Sequence, residues 1–249
     1  MPQNDQLNRV TLIGSMQNEM LVAMKFIRRG LALQADTEYT LTQKFFVMYD
    51  LAQGLERYLK VALTFVILGN EQRLPTRAEI QGRGPGKGHS VQRLLEDLVR
   101  HGDHPGLRST ADGRWCLGYL GDDVTFRRAI EQLDRFGSKD RYYDLNVLGG
   151  QSPAESTPSE LWEELEMAIG KSLYPDPARW YDMAVKHADQ YDAEVYAVLI
   201  DHLKWGLYAV TKIMIVGRHG DPTLGWPQHS LDYLVEFGPP ARLYGPYHG

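Results

Sequence analysis

The sequence predicts a mostly α-helical bundle with additional helices in its C-terminal part. Three observations lead there. Apolar residues return every three or four positions in several long segments, capping residues stand where those segments should begin and end, and nothing sustains the period-2 alternation of a sheet. A chain of 249 residues, 43% of them hydrophobic, can bury a substantial core as one large domain or two modest ones.

The first helical segment, NEMLVAMKFIRRGLAL, turns Met20, Met24, Ile27 and Leu31 to one face, with the methionines as flexible core filler. From near Thr40 a longer one follows, in which Phe45, Tyr49, Ala52, Leu55, Leu59, Ala62 and Val66 recur up to Gly69 and Asn70. Lys44, Gln53, Arg57 and Lys60 fall mostly on its other faces, and Glu56 and Lys60 form an i,i+4 pair in the favourable order. Ser90 is placed to cap a short helix from Val91 that carries Leu94, Leu95, Leu98 and Val99. The passage HGDHPGLRSTADGRWCLGYLGDD is rich in turn formers, so short strands or irregular structure are expected there. Helical spacing resumes in DDVTFRRAIEQLDRF through Phe126, Ala129, Ile130, Leu133 and Phe136.

The seam is GGQSPAESTPSE, residues 149 to 160, which concentrates Gly, Ser and Pro. The expected organisation is therefore a bundle over residues 1–150, including the N-terminal helix, and a helical extension or small second domain over 158–249. Thr157, Pro158 and Glu160 take the N-cap, N1 and N3 positions of a capping box, and Asp176-Pro177 repeats the cap-then-proline signal. Val195, Leu199, Leu203, Leu207, Val210 and Met214 then mark a last long helix, followed by a Gly-, Pro- and His-rich tail expected to be irregular.

Composition narrows the function classes. The lone Cys116 excludes a disulfide framework and suits a reducing compartment; beside Trp115 and Leu117 it reads as a small buried hydrophobe. The central apolar run VALTFVIL falls far short of the roughly 20 residues that span a bilayer, and no basic start precedes an apolar stretch. A cytoplasmic chain with no membrane partner is expected. The net charge of −5 argues against broad, salt-driven nucleic-acid binding. Its distribution is uneven: Arg73, Arg77, Arg83, Lys87 and Arg93 face only Glu79 between 73 and 93, whereas acids dominate from 155 to 194.

Two clusters can carry recognition chemistry. In GRGPGKGHSVQRLLED the position that a phosphate loop reserves for its second glycine is Lys87, and no hydroxyl residue follows it directly, so a Walker motif is excluded. What remains is a turn bearing Arg83, Lys87 and His89. In FGSKDRYYDLN, Lys139 and Arg141 stand beside Tyr142 and Tyr143, with Asn146 beyond, a combination that serves either for arginine to meet phosphate while tyrosine stacks on a base, or for tyrosine rings to fill a helix interface. His101, Asp103 and His104 put two imidazoles close together but lack a third ligand, so no metal is expected, and no cofactor motif is present. His187 and His202 read as solvent-facing helical residues, and no G-x-S-x-G elbow occurs.

Three segments in order, YDLAQGLERYLKVALTFVI (49–67), GKGHSVQRLLEDLV (86–99) and FGSKDRYYDLN (136–146), resemble the HEPN domain family, covering residues 40–150. The resemblance implies a HEPN-like helical bundle. Many such proteins are dimeric, metal-independent ribonucleases that use an arginine and a histidine a few residues apart. With Arg141 in the arginine position, Asn146 stands where the histidine is needed, and asparagine does not shuttle a proton near neutral pH. Arg83 and His89 meet the bare spacing, but in or beside the glycine loop. The resemblance therefore implies a non-catalytic recognition or protein-interaction module, RNA-related and set in defence or a toxin–antitoxin pair. Arg83, Lys87, His89, Lys139, Arg141, Tyr142 and Tyr143 would contact the ligand, and a second copy, RNA or a nucleotide, or another protein would be the partner. The alternatives are a divergent metal-independent endoribonuclease, with Arg141, Asn146 and His89 as its catalytic candidates, and a structural helical dimerisation subunit.

Overall fold

The computed structural model describes residues 2–36, 41–81, 90–138, 148–150 and 157–216. Among these residues there are ten helices and no strand. They are α1 (Pro2–Gln34), α2 (Leu41–Glu71), α3 (Arg77–Gln81), α4 (Val91–Gly102), α5 (Pro105–Ser109), α6 (Ala111–Asp122), α7 (Val124–Ser138), α8 (Pro158–Leu173), α9 (Pro177–Lys186) and α10 (Ala188–Val216). No helix of the described residues is long and apolar enough to cross a membrane.

Helices α1 and α2 form a long antiparallel hairpin. Glu19 lies 2.5 Å from Arg57, Gly54 faces Ala23 and Ile27, Gly30 faces Leu51, and Arg29 closes a two-bonded ion pair on the buried Asp50. The numbers rise on one helix as they fall on the other. The glycines matter here because a crossing this close leaves no room for a Cβ.

Helix α2 is the axis of the bundle, touching α1, α3, α4, α7, α8 and α10. Helix α4 runs alongside it in the same direction. Its last turn meets the end of α2, where Asn70 donates to the His101 carbonyl at 2.8 Å, and its first turn meets the end of α7, whose Phe136 packs on Phe45 near the start of α2. Helix α10 closes the other side, with Tyr58 hydrogen-bonded to Thr211, Gly206 against Phe126 and Gly102 against Ile213. One contiguous apolar core holds Leu59, Leu63 and Val66 of α2 together with Leu94, Phe126, Trp162, Leu199 and Ile213.

The caps stand where the sequence places them. Ser90 accepts from the Arg93 N–H, Thr157 and Glu160 complete the capping box of α8, and Asp176 caps α9. The turn-rich stretch from the last turn of α4 onward differs from expectation: it folds into α5 and the whole of α6. His104 and Thr110 serve as the two N-caps with Pro105 at the first helical position, so turn-forming residues act as helix punctuation. Gly113 lies inside α6 because Leu107 and its carbonyl press on that turn.

Cys116 is fully buried in α6, and burial pushes its thiol up to about 12. We expect it to resist a thiol-specific dye in the folded chain at pH 8 and to react within seconds in denaturant. Full labelling of the folded chain at the rate of a free thiol would contradict this.

Candidate recognition site

Arg83, Lys87, His89, Lys139, Arg141, Tyr142, Tyr143 and Asn146 all lie outside the described residues. The points from which their two segments leave are described, and they are neighbours. Residues 82–89 join the end of α3 to the Ser90 cap of α4, and residues 139–147 follow the last turn of α7. Asp134, one turn before the end of α7, accepts a 3.0 Å hydrogen bond from the backbone N–H of Gln92 in the first turn of α4. Here a carboxylate of one helix caps the start of another. It supplies an acceptor to a helix-start donor that the helix itself leaves unpaired, and it ties two elements that are distant in sequence.

Next to this joint is an open depression of 320 Å³, bounded by Gln92 of α4, Asp122 of α6, and Val124, Arg127, Arg128 and Glu131 of α7. Arg127 reaches Glu96 of α4 at 3.7 Å, while Arg128 is exposed. The depression thus carries both signs of charge, with two guanidinium groups on one helix.

The corner between α3 and α4 is built from ion pairs. Arg73 holds the Glu79 carboxylate through two hydrogen bonds of 2.9 and 2.7 Å and also pairs with Glu71. Those bonds, with the Thr76 N–H at 2.6 Å, hold Glu79 well below the ordinary carboxylate range. Arg93 crosses the corner: its Nη1 donates to the Glu79 carbonyl at 3.1 Å and to Asp97 at 2.8 Å.

A second polar constellation lies where α6, α7 and α10 meet, and the sequence alone does not reveal it. His202 of α10 has Nδ1 2.9 Å from the Asp123 carboxylate, and the Tyr119 hydroxyl donates to the His202 carbonyl at 3.0 Å. A carboxylate only accepts, so Nδ1 carries the proton in this contact. Trp115 stacks on Tyr119 at 5.1 Å and meets Trp205 at 4.9 Å, edge to face, so that half-buried rings of α6 and α10 wall the imidazole. No Ser, Thr or Cys side chain bonds this imidazole among the described residues, so the group orients a histidine without an adjoining nucleophile. The signal available in sequence was the helical spacing of Trp115 with Tyr119 and of Trp205 with Tyr208, hidden because the first pair sits in the stretch read as turns.

The HGDH residues have separate duties. His101 Nδ1 lies 2.5 Å from Glu71, Asp103 is paired with Arg108, and His104 caps α5. Arg108 also holds the Asp103 carboxyl below its usual range. Among the described residues no group of three or more His, Cys, Asp or Glu side chains is arranged to hold a metal ion. The Glu56–Lys60 pair on α2 closes at 2.6 Å with Glu56 buried, so this pair is part of the bundle's interior edge.

No protein-family model matches the chain, nor does any curated protein or solved structure.

Proposed function

We propose that the chain is a HEPN-like recognition module that binds RNA without cleaving it. In this reading the two basic segments would line two rims of a groove, with Arg83, Lys87 and His89 on one and Lys139, Arg141, Tyr142 and Tyr143 on another, so that the arginines meet phosphate while the tyrosines stack on bases. The observation that carries this reading is the hydrogen bond from the Gln92 N–H to Asp134, because it brings the end of one segment beside the start of the other. Two further features support it. The depression beside that bond presents Arg127 and Arg128, and the acids of the α3–α4 corner are already paired with resident arginines, so they repel an incoming phosphate less. Asn146 in place of an imidazole removes the proton shuttle that a ribonuclease would need.

The test is a labelled single-stranded RNA pool, incubated without added metal and with EDTA, with wild type and Arg141→Ala compared for binding and for cleavage. We expect binding with no cleavage, weakened about tenfold in the variant through loss of a charge-assisted phosphate contact. RNA that stays unbound by the folded wild type defeats the reading. Cleavage that survives chelation and disappears in the variant would put the divergent ribonuclease in its place.

A further inference from the structure

Arg93 is only half used. Its Nη1 is bound by the Glu79 carbonyl and Asp97, yet its Nε and Nη2 are buried and have no hydrogen-bond partner. Those two nitrogens form the side-on fork of the guanidinium, whose parallel N–H bonds match two oxygens of one oxyanion. A buried charged donor without an acceptor is costly, and folding normally supplies one.

No neighbouring carboxylate of the described residues is free to fill the fork. Asp97 is shared between Arg93 Nη1 and Arg100, Glu79 is taken by Arg73 and Thr76, Glu71 by Arg73 and His101, and Glu96 by Gln92 and Arg127. Among the described residues the fork therefore has no acceptor. The side chain as a whole keeps 26% exposure, so it lies at the rim of the bundle. Its place is also informative. By joining α3 to α4 it spans the two ends of the segment that carries Arg83, Lys87 and His89. The surplus of positive charge from 73 to 93 favours a multiply charged phosphate over a carboxylate.

We propose that Arg93 is a phosphate-binding residue, its Nε and Nη2 gripping two oxygens of one phosphoryl group at the α3–α4 corner. For its biological setting this rests on the RNA-recognition reading, with the phosphate coming from an RNA backbone; free phosphate has the same chemistry and would fit the same fork.

Thermal unfolding of the full chain is followed while inorganic phosphate is titrated at constant ionic strength against chloride, for wild type, Arg93→Lys and the remote control Lys186→Ala. Wild type and the control are expected to gain stability together, and Arg93→Lys to need about tenfold more phosphate for the same gain, since lysine keeps the charge and loses the fork. An equal phosphate response in Arg93→Lys overturns the proposal. Should that variant fail to fold, the wild-type arginine Nε–H resonances decide: one buried, slowly exchanging signal must shift with phosphate, and a spectrum that phosphate leaves unchanged also overturns it. A parallel arm measures binding of labelled single-stranded RNA. Phosphate that acts through Arg93 in a chain that binds no RNA leaves the phosphate site standing and removes the RNA reading. RNA binding that Arg93→Lys leaves intact, with an unchanged phosphate response, removes only the phosphate site.

Discussion

Gly54→Val is expected to destabilise the protein by about 3 kcal/mol, the upper part of the range for overpacking a tight contact. A Cβ at Gly54 would lie 2.6 Å from Ile27 Cγ1, 2.9 Å from the Ile27 nitrogen and 3.0 Å from the Ala23 carbonyl oxygen. Two of those atoms are backbone, so no rotamer change relieves the clash, and α1 must move off α2. The result reverses intrinsic propensity, by which replacing a mid-helix glycine gains up to about 1 kcal/mol. Gly14 supplies the contrast: it lies in α1 with nothing within 4 Å of a built Cβ, so Gly14→Ala should stabilise. Thermal unfolding checks both, with a fall of roughly 6–12 °C expected for Gly54→Val in a chain of this size. An unchanged melting temperature would mean that the hairpin does not cross at Gly54.

Lys44→Met should cost a similar amount, about 3 kcal/mol at neutral pH, because it removes one partner from a buried charge cluster. Lys44 Nζ lies 3.1 Å from Glu166 and 3.0 Å from Glu163. The buried Gln34 completes the group, donating to Glu166 at 3.0 Å and accepting from Trp162 Nε1 at 2.9 Å. These bonds fasten α8 to the last turn of α1 and the first turn of α2. Burial pushes the Glu166 carboxyl above its ordinary value despite Lys44, and burial does the same to Asp192 nearby.

The pH dependence follows from that direction. A carboxyl whose folded value is raised binds its proton more tightly in the folded chain. Its stabilising contribution is full below the unfolded value and is lost as pH rises through the folded one. Without Lys44 the folded value rises further. The penalty of Lys44→Met should therefore be larger at pH 8 than at pH 5, and Glu166→Gln in the same background should recover part of it at pH 8. Urea unfolding at the two pH values decides, and a penalty that does not change with pH would exclude Glu166 as its source.

The fold class was legible in the sequence because it depends on local signals. Period and caps located α2, α4, α7, α8 and α10 within a few residues, and Ser90, Thr157 and Asp176 act within one turn of themselves. The same local reading missed α5 and α6, where His104, Thr110 and four glycines resemble a loop until packing against Leu107 and α10 selects the helix.

The candidate site was legible only as residue types in two segments, and its named residues lie outside the described ones. What could be added came from three dimensions: the Asp134 bond to Gln92, the Asp123–His202 pair and the unfilled fork of Arg93 each join residues of different elements or depend on what surrounds them. Lys44 makes the same point. Periodicity puts it on a polar face of α2, and that face is covered by α8, more than a hundred residues further along the chain. Hydrophobic spacing thus determined by itself that the chain forms helices, since each helix registers its own neighbours. Which polar groups end up buried, paired or left with unused donors was decided only by how the helices pack, because desolvation and pairing depend on neighbours that sequence distance does not reveal.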